Sequence, residues 1–287
     1  MEETRETQEL VEGEEKKDAL ISIIETAIKI PGIKVNRAEF LKEQFKKQST
    51  EKIEGIIATN PIEAGCTRKE LNELADKLVW KRTSIATAGS FLTGIPGGLA
   101  MAATIPMDIL QFYGVALRLA QELMYLYGEP DLWAGETPDE EKVMSQLVLY
   151  CGAMLGAGGA AQAVRVMASK LAQQALAQLP KKALTKTVIF KLTKSIVKTF
   201  GINLTKKTFA KGVSKVIPVV GGVVSGGLTL ASMLPMAKRL VKVLDKAKFD
   251  YTAEDFQKDF VEVEIICEKE TDEECSADEI KQNMGEE

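Results

Sequence analysis

The sequence predicts an all-α protein, a multi-helix bundle with glycine-rich apolar helical hairpins and acidic flexible tails, on three observations. Apolar residues recur at helical spacing through most of the chain, beginning with Leu20, Ile21, Ile24, Ala27 and Ile28. Capping and breaking residues bracket those stretches. β-branched clusters such as Val219-Val220-Gly221-Gly222-Val223-Val224 stand isolated between helical segments and would lack strand partners. At 287 residues the chain is long enough to bury a core without disulfides or metals.

Residues 1–17 are polar and are expected to be disordered; a helical domain is expected over 18–250, followed by an acidic, largely disordered tail over 251–287. The first helix ends at Pro31-Gly32. Asn36 with Glu39 makes a capping-box-like start for a helix through Phe40, Leu41 and Phe45, and Thr67 with Glu70 does the same for a longer helix through Leu71, Leu74, Leu78 and Trp80. Asn60-Pro61 separates the two. The run Met107 to Tyr127 reads as a strong helix closed by Gly128 and Pro130. Thr137-Pro138-Asp139-Glu140 opens the next, with Pro138 expected at the first helical position. Helix is then expected from Val143 to near Leu179, from Lys181 to Phe200, around Lys206 to Lys215, and from Val216 to Leu244 with interruptions at Pro218 and Pro235. Phe256 and Phe260 mark one short helix in the tail.

The chain has no histidine, which removes serine–histidine and cysteine–histidine nucleophiles, histidine bases and imidazole metal ligands. Cys66, Cys151, Cys267 and Cys275 form no C-x-x-C pair, so neither a disulfide framework nor a metal site is expected, and reduced cytosolic thiols are the simplest reading. Gly156-Ala157-Gly158-Gly159 has no strand before it and no Walker ending follows anywhere, so no nucleotide or other cofactor is expected.

Charge is sorted along the chain. Met1 to Lys34 carries nine acids against five bases, and Asp245 to Glu287 carries sixteen against five. Between Lys142 and Leu244 stand sixteen Lys or Arg and no Asp or Glu, so an anionic surface, partner or tail is expected nearby. Thr83 to Met107, Val143 to Val164 and Val216 to Ala237 each run 22 to 25 residues without a charge, lengths that could span a bilayer. Their content of Gly, Ala, Ser and Thr weakens insertion and suits buried hairpins equally. Gly94 with Gly98, Gly152 with Gly156, and Gly222 with Gly226 fall four apart, a spacing that lets helix backbones approach closely. The acidic, non-apolar N-terminus is unlike a secretory signal, so the protein is expected to start in the cytosol.

Asp108, Arg118 and Glu122 are the only charges between Arg82 and Glu129. Arg118 and Glu122 are one turn apart and can pair, and Asp108 is placed to cap a helix start. As an acid–base pair Asp108 and Glu122 would be separated by roughly 21 Å along one helix, too far to act on one bond, so no enzyme is expected. Lys182, Lys186, Lys191, Lys194 and Lys198 alternate with apolar residues in an amphipathic cationic helix, and Lys207, Lys211 and Lys215 repeat the four-residue step. That pattern suits an anionic membrane surface; nucleic acid is disfavoured because arginine is nearly absent there.

Several segments resemble the bacterial EcsC family: Val35-Asn36-Arg37-Ala38-Glu39-Phe40-Leu41, then Ala86-Thr87-Ala88-Gly89 leading through Thr93-Gly94-Ile95-Pro96-Gly97-Gly98 to Ile105-Pro106-Met107-Asp108. Leu117-Arg118-Leu119-Ala120-Gln121, Tyr125-Leu126-Tyr127-Gly128-Glu129 and Ile217-Pro218-Val219-Val220-Gly221-Gly222-Val223-Val224-Ser225-Gly226-Gly227 continue the resemblance, which covers about residues 32 to 244. Met107 stands where family members most often carry Ala. The resemblance implies a helical protein without an established reaction or cofactor, associated with envelope and ABC transport processes. The function expected on all these grounds is a non-enzymatic cytoplasmic protein docking peripherally on the inner membrane face. The alternatives are a module binding an acidic protein or its own acidic tail, a membrane-inserting helical protein, and a lipid-acting enzyme at Asp108 or Glu122.

Overall fold

A computed structural model describes residues 22–87, 107–135, 138–169 and 226–266. Among the described residues there are nine helices and no strand, as the periodicity predicts. They are α1 (22–28), α2 (Arg37–Gln44), α3 (Thr50–Ala58), α4 (Arg68–Thr87), α5 (Met107–Leu126), α6 (Glu140–Leu155), α7 (Ala160–Ala168), α8 (Gly226–Phe249) and α9 (253–266).

The capping signals act as the sequence leads one to expect. Asn36 accepts the Glu39 amide at 3.0 Å, and Thr67 and Glu70 form a reciprocal box, with the Thr67 amide donating to Glu70 Oε2 at 2.8 Å and the Glu70 amide to Thr67 Oγ1 at 3.3 Å. Helix α3, absent from the sequence reading, is capped by Ser49 and anchored by buried Ile56. Its signal was present in Ile53, Ile56 and Ile57, which fall at i, i+3 and i+4.

Three expectations are corrected. Pro138 is not the first helical residue: Asp139 takes the cap by accepting the Lys142 amide at 3.1 Å, leaving Pro138 one position outside. The helix expected to run on from Val143 breaks into α6 and α7 at Gly156–Gly159, because Gly156 (φ 82°) and Gly159 (φ 76°) take left-handed backbone. Gly156 therefore closes a helix rather than lining a close helix approach. Pro235 does not interrupt α8, which runs through it. Pro235 faces solvent while Met233, Met236, Ala237 and Leu240 are buried around it, so packing holds the axis across the missing amide.

The core is built on α5. Its buried residues occupy almost every position from Leu110 to Tyr127, so the helix is covered on all sides rather than on one stripe. Helices α2, α4, α6 and α8 pack against it, and α8 also contacts α4, α6 and α7. The end of α5 is closed by paired bonds, Gly128 N to Tyr125 O at 3.1 Å and Glu129 N to Met124 O at 3.0 Å. Gly128 sits at φ 87°, and a Cβ there would lie 3.0 Å from Asn60 Oδ1, the oxygen that caps Ile62 and Glu63. Gly128→Ala is therefore expected to lower stability by about 1–3 kcal/mol through left-handed strain, read as a lower urea midpoint at unchanged slope.

Candidate functional site

Two polar clusters lie along α5. The first closes the seam with α4: the Glu122 carboxylate has no exposed side-chain surface and takes Arg82 Nε on Oε2 at 2.6 Å and Arg118 Nε on Oε1 at 3.0 Å. A second Arg82 nitrogen also donates to Oε1, and Arg118 Nη1 donates to the Gly32 carbonyl. Two guanidinium groups on one carboxylate leave both of its oxygens engaged as acceptors. Next to it, buried Gln121 donates to the Ile33 and Leu117 carbonyls, each at 3.0 Å, and accepts from the Val35 amide at 3.2 Å and Trp133 Nε1 at 2.9 Å. One amide thus ties the connection before α2 and the segment after α5 to the central helix.

The second cluster lies where α5 ends. Tyr127 donates to Asn72 Oδ1, Asn72 Nδ2 donates to Asp245 Oδ1 at 3.1 Å, and Arg68 bridges Asp245 and Asp250. Glu129 is buried with Lys248 Nζ 2.7 Å from Oε1. Burial first, and then the neighbouring Glu129 carboxylate, push the fully buried Tyr150 phenol well above its usual range. Arg37 is spent on backbone, donating to the carbonyls of Glu129 (3.2 Å), Ile57 (3.0 Å) and Thr59 (2.7 Å). Burial pushes the Cys151 thiol up to about 12, which leaves it unreactive. No group of three or more metal-ligating residues that could hold an ion occurs among the described residues.

Among the described residues, further charge lies at the surface. Helix α8 exposes Lys238, Arg239 and Lys242, and Arg239 additionally donates to the Met154 carbonyl at 3.1 Å. Against α7, acidic α9 is held by a fork of bonds from Arg165 to Asp259 at 2.7 and 2.8 Å, by Tyr251 donating to Asp259 at 2.9 Å, and by Gln162 donating to Glu262 at 2.7 Å. Buried Val263 seats its apolar side. At the start of α9, a hydrogen bond from Lys246 and the Thr252 amide hold the Asp255 carboxyl down at about 2.

Of the residues singled out from the sequence, Arg118, Tyr127 and Gly128 are placed in these clusters, and the Arg118–Glu122 pair forms as expected. Asp108 is the second residue of α5 and Gly226 the first of α8. Gly94, Pro96, Gly97, Gly98, Pro106, Pro218, Gly221 and Gly222 lie outside the described residues, as do Lys182, Lys186, Lys191, Lys194, Lys198, Lys207, Lys211 and Lys215. Arg82, Arg165 and Lys248 were not anticipated, and Gln121 stood out only as the last residue of the segment Leu117-Arg118-Leu119-Ala120-Gln121; of the first three only Arg82 carried a signal, as the last charge before the longest uncharged run. No family model, curated protein or solved structure matches the chain.

Glu122→Ala should lower unfolding stability by about 3 kcal/mol or more, since it leaves two largely buried guanidinium groups facing each other, as measured by chemical denaturation. Asp259→Asn should weaken the seat of α9 by about 2 kcal/mol, seen as roughly thirtyfold faster amide exchange confined to residues 253–266.

Proposed function

We propose that this chain is a non-enzymatic, EcsC-like helical protein that docks peripherally on the cytoplasmic face of a membrane, in connection with envelope or ABC transport processes. The observation that carries the proposal is the stretch from Lys142 to Leu244, with sixteen bases and no acid. Attraction to anionic headgroups is worth about 1 kcal/mol for each lysine near the surface, so a run of this kind binds without any hydrophobic insertion. Three of the sixteen, Lys238, Arg239 and Lys242, are exposed on α8. Surface docking is also compatible with the helices themselves, since among the described residues none is long and apolar enough to cross a membrane. The engagement of Glu122 by two arginines supports a structural role for it over catalysis on lipid.

One contact favours a second function: α9 places acidic residues on Arg165, as a module that binds acidic segments would. The two are separated by flotation with neutral and anionic vesicles at low and high salt. Peripheral docking gives binding to anionic vesicles alone, lost at high salt, and weakened about fivefold for each of Lys182, Lys186, Lys191, Lys194 and Lys198 changed to Gln. Salt-resistant binding would replace docking with insertion of the glycine-rich segments. Absence of binding to any vesicle would overturn the membrane proposal and leave the acidic-segment module.

A further inference from the structure

Arg165 is the only charged residue between Lys142 and Lys170. It stands on α7, a helix with no exposed residue, and its ion pair with Asp259 is sheltered: 17% of the arginine side chain and 8% of the aspartate side chain reach solvent. Arg165 meets Asp259 while Gln162, three residues earlier, meets Glu262, three residues later, so α9 lies antiparallel on α7. The seat is mainly polar. Of the large apolar side chains of α9 only Val263 is buried; Phe256, Phe260 and Ile266 are half-buried, and Val261 and Ile265 are exposed.

The two sides of this contact carry opposite charge. On α9, Glu254, Asp255, Asp259, Glu262 and Glu264 stand against Lys258 alone, and from Glu254 to Glu287 the sequence has fourteen acids and three bases. α7 contributes no acid. α8 contributes Lys246, bonded to Asp255 at 2.8 Å, and carries the exposed Lys238, Arg239 and Lys242. The acids on that side, Asp245 and Asp250, are both held by Arg68. Because α9 is antiparallel, its acidic first turn, Glu254 and Asp255, is set toward the end of α7 from which the sequence passes to Lys170 and the lysine-rich stretch.

An anionic bilayer attracts that stretch and repels a helix of this charge, so docking and the seat of α9 oppose each other. A helix held by ion pairs and one buried apolar side chain opens at less cost than the bundle unfolds. We propose that α9 is an autoinhibitory strap: seated on Arg165 it offsets the charge at the start of the basic stretch, and an anionic phospholipid bilayer displaces it as that stretch docks. The proposal rests on the membrane reading above and gives that docking its regulation.

The test uses the full-length chain. With vesicles of phosphatidylcholine and phosphatidylglycerol, the wild-type amides of residues 253–266 exchange tenfold or more faster, those of α5 are unchanged, and pure phosphatidylcholine has no effect. Arg165→Gln separates release of the strap from simple loss of charge. Removing one base weakens partitioning to anionic vesicles about fivefold by charge alone, whereas release of α9 strengthens it in flotation. Asp259→Asn likewise strengthens partitioning tenfold or more. Its charge control is Glu264→Gln, an exposed α9 acid with no bond to α7 among the described residues, which strengthens it no more than about fivefold. Flotation of Arg165→Gln without flotation of the wild type also supports the strap. Weaker partitioning of Arg165→Gln, with unchanged exchange of residues 253–266 on vesicles that carry the wild type, overturns the strap while peripheral docking stands. Failure of the wild type and Arg165→Gln alike to float on any vesicle overturns both.

Discussion

Removing the Glu122 carboxylate from water is the constraint on which the rest of the described structure depends. A buried carboxylate is tolerated only when its charge is neutralised and its lone pairs are bonded. Arg118 is available from the same helix, but its guanidinium is shared with the Gly32 carbonyl, so α4 must also deliver Arg82. That requirement sets the register of α4 against α5. It also orients the connection before α2, which Gln121 secures through the Ile33 carbonyl and the Val35 amide. Apolar burial supplies most of the driving force, yet burial is non-directional, and these bonds decide which of many apolar pairings is adopted.

The same economy governs the far end of α5. Tyr127, Asn72, Asp245 and Arg68 link α4, α5 and α8 in one chain of contacts, and Lys248 from α8 meets Glu129 just past the helix end. Here a mostly apolar helix gains specificity from a few polar groups whose partners come from helices distant in sequence. With these groups engaged inside the bundle, the described surface is left basic on α8 and acidic on α9, with one exposed indole, Trp80, on α4.

Local signals were legible wherever the controlling interaction lies within a few residues. Asn36, the Thr67–Glu70 box and Gly128 act within one helical turn, and each works as its sequence neighbours imply. The Arg118–Glu122 pair is legible for the same reason. Misjudgements arose where packing overrides a local preference: Pro235 stays inside α8 because buried neighbours on both sides hold the axis, and α3 forms although it is short, because Ile56 is fully buried. Gly156 and Gly159 were visible as glycines, but whether they pack closely or turn the chain depends on φ, which composition does not state.

By itself the sequence determined the helical class, most caps and the segregation of charge, since periodicity and side-chain to backbone bonds are properties of neighbouring residues. Only the tertiary structure decided that Glu122 takes a second arginine from forty residues away, that Lys248 meets Glu129, and that Asp259 of the acidic end is seated on Arg165. Those pairings are made between helices, where the energy of a charge depends on how far it is removed from water and on which partner arrives with it. Linear spacing carries neither quantity.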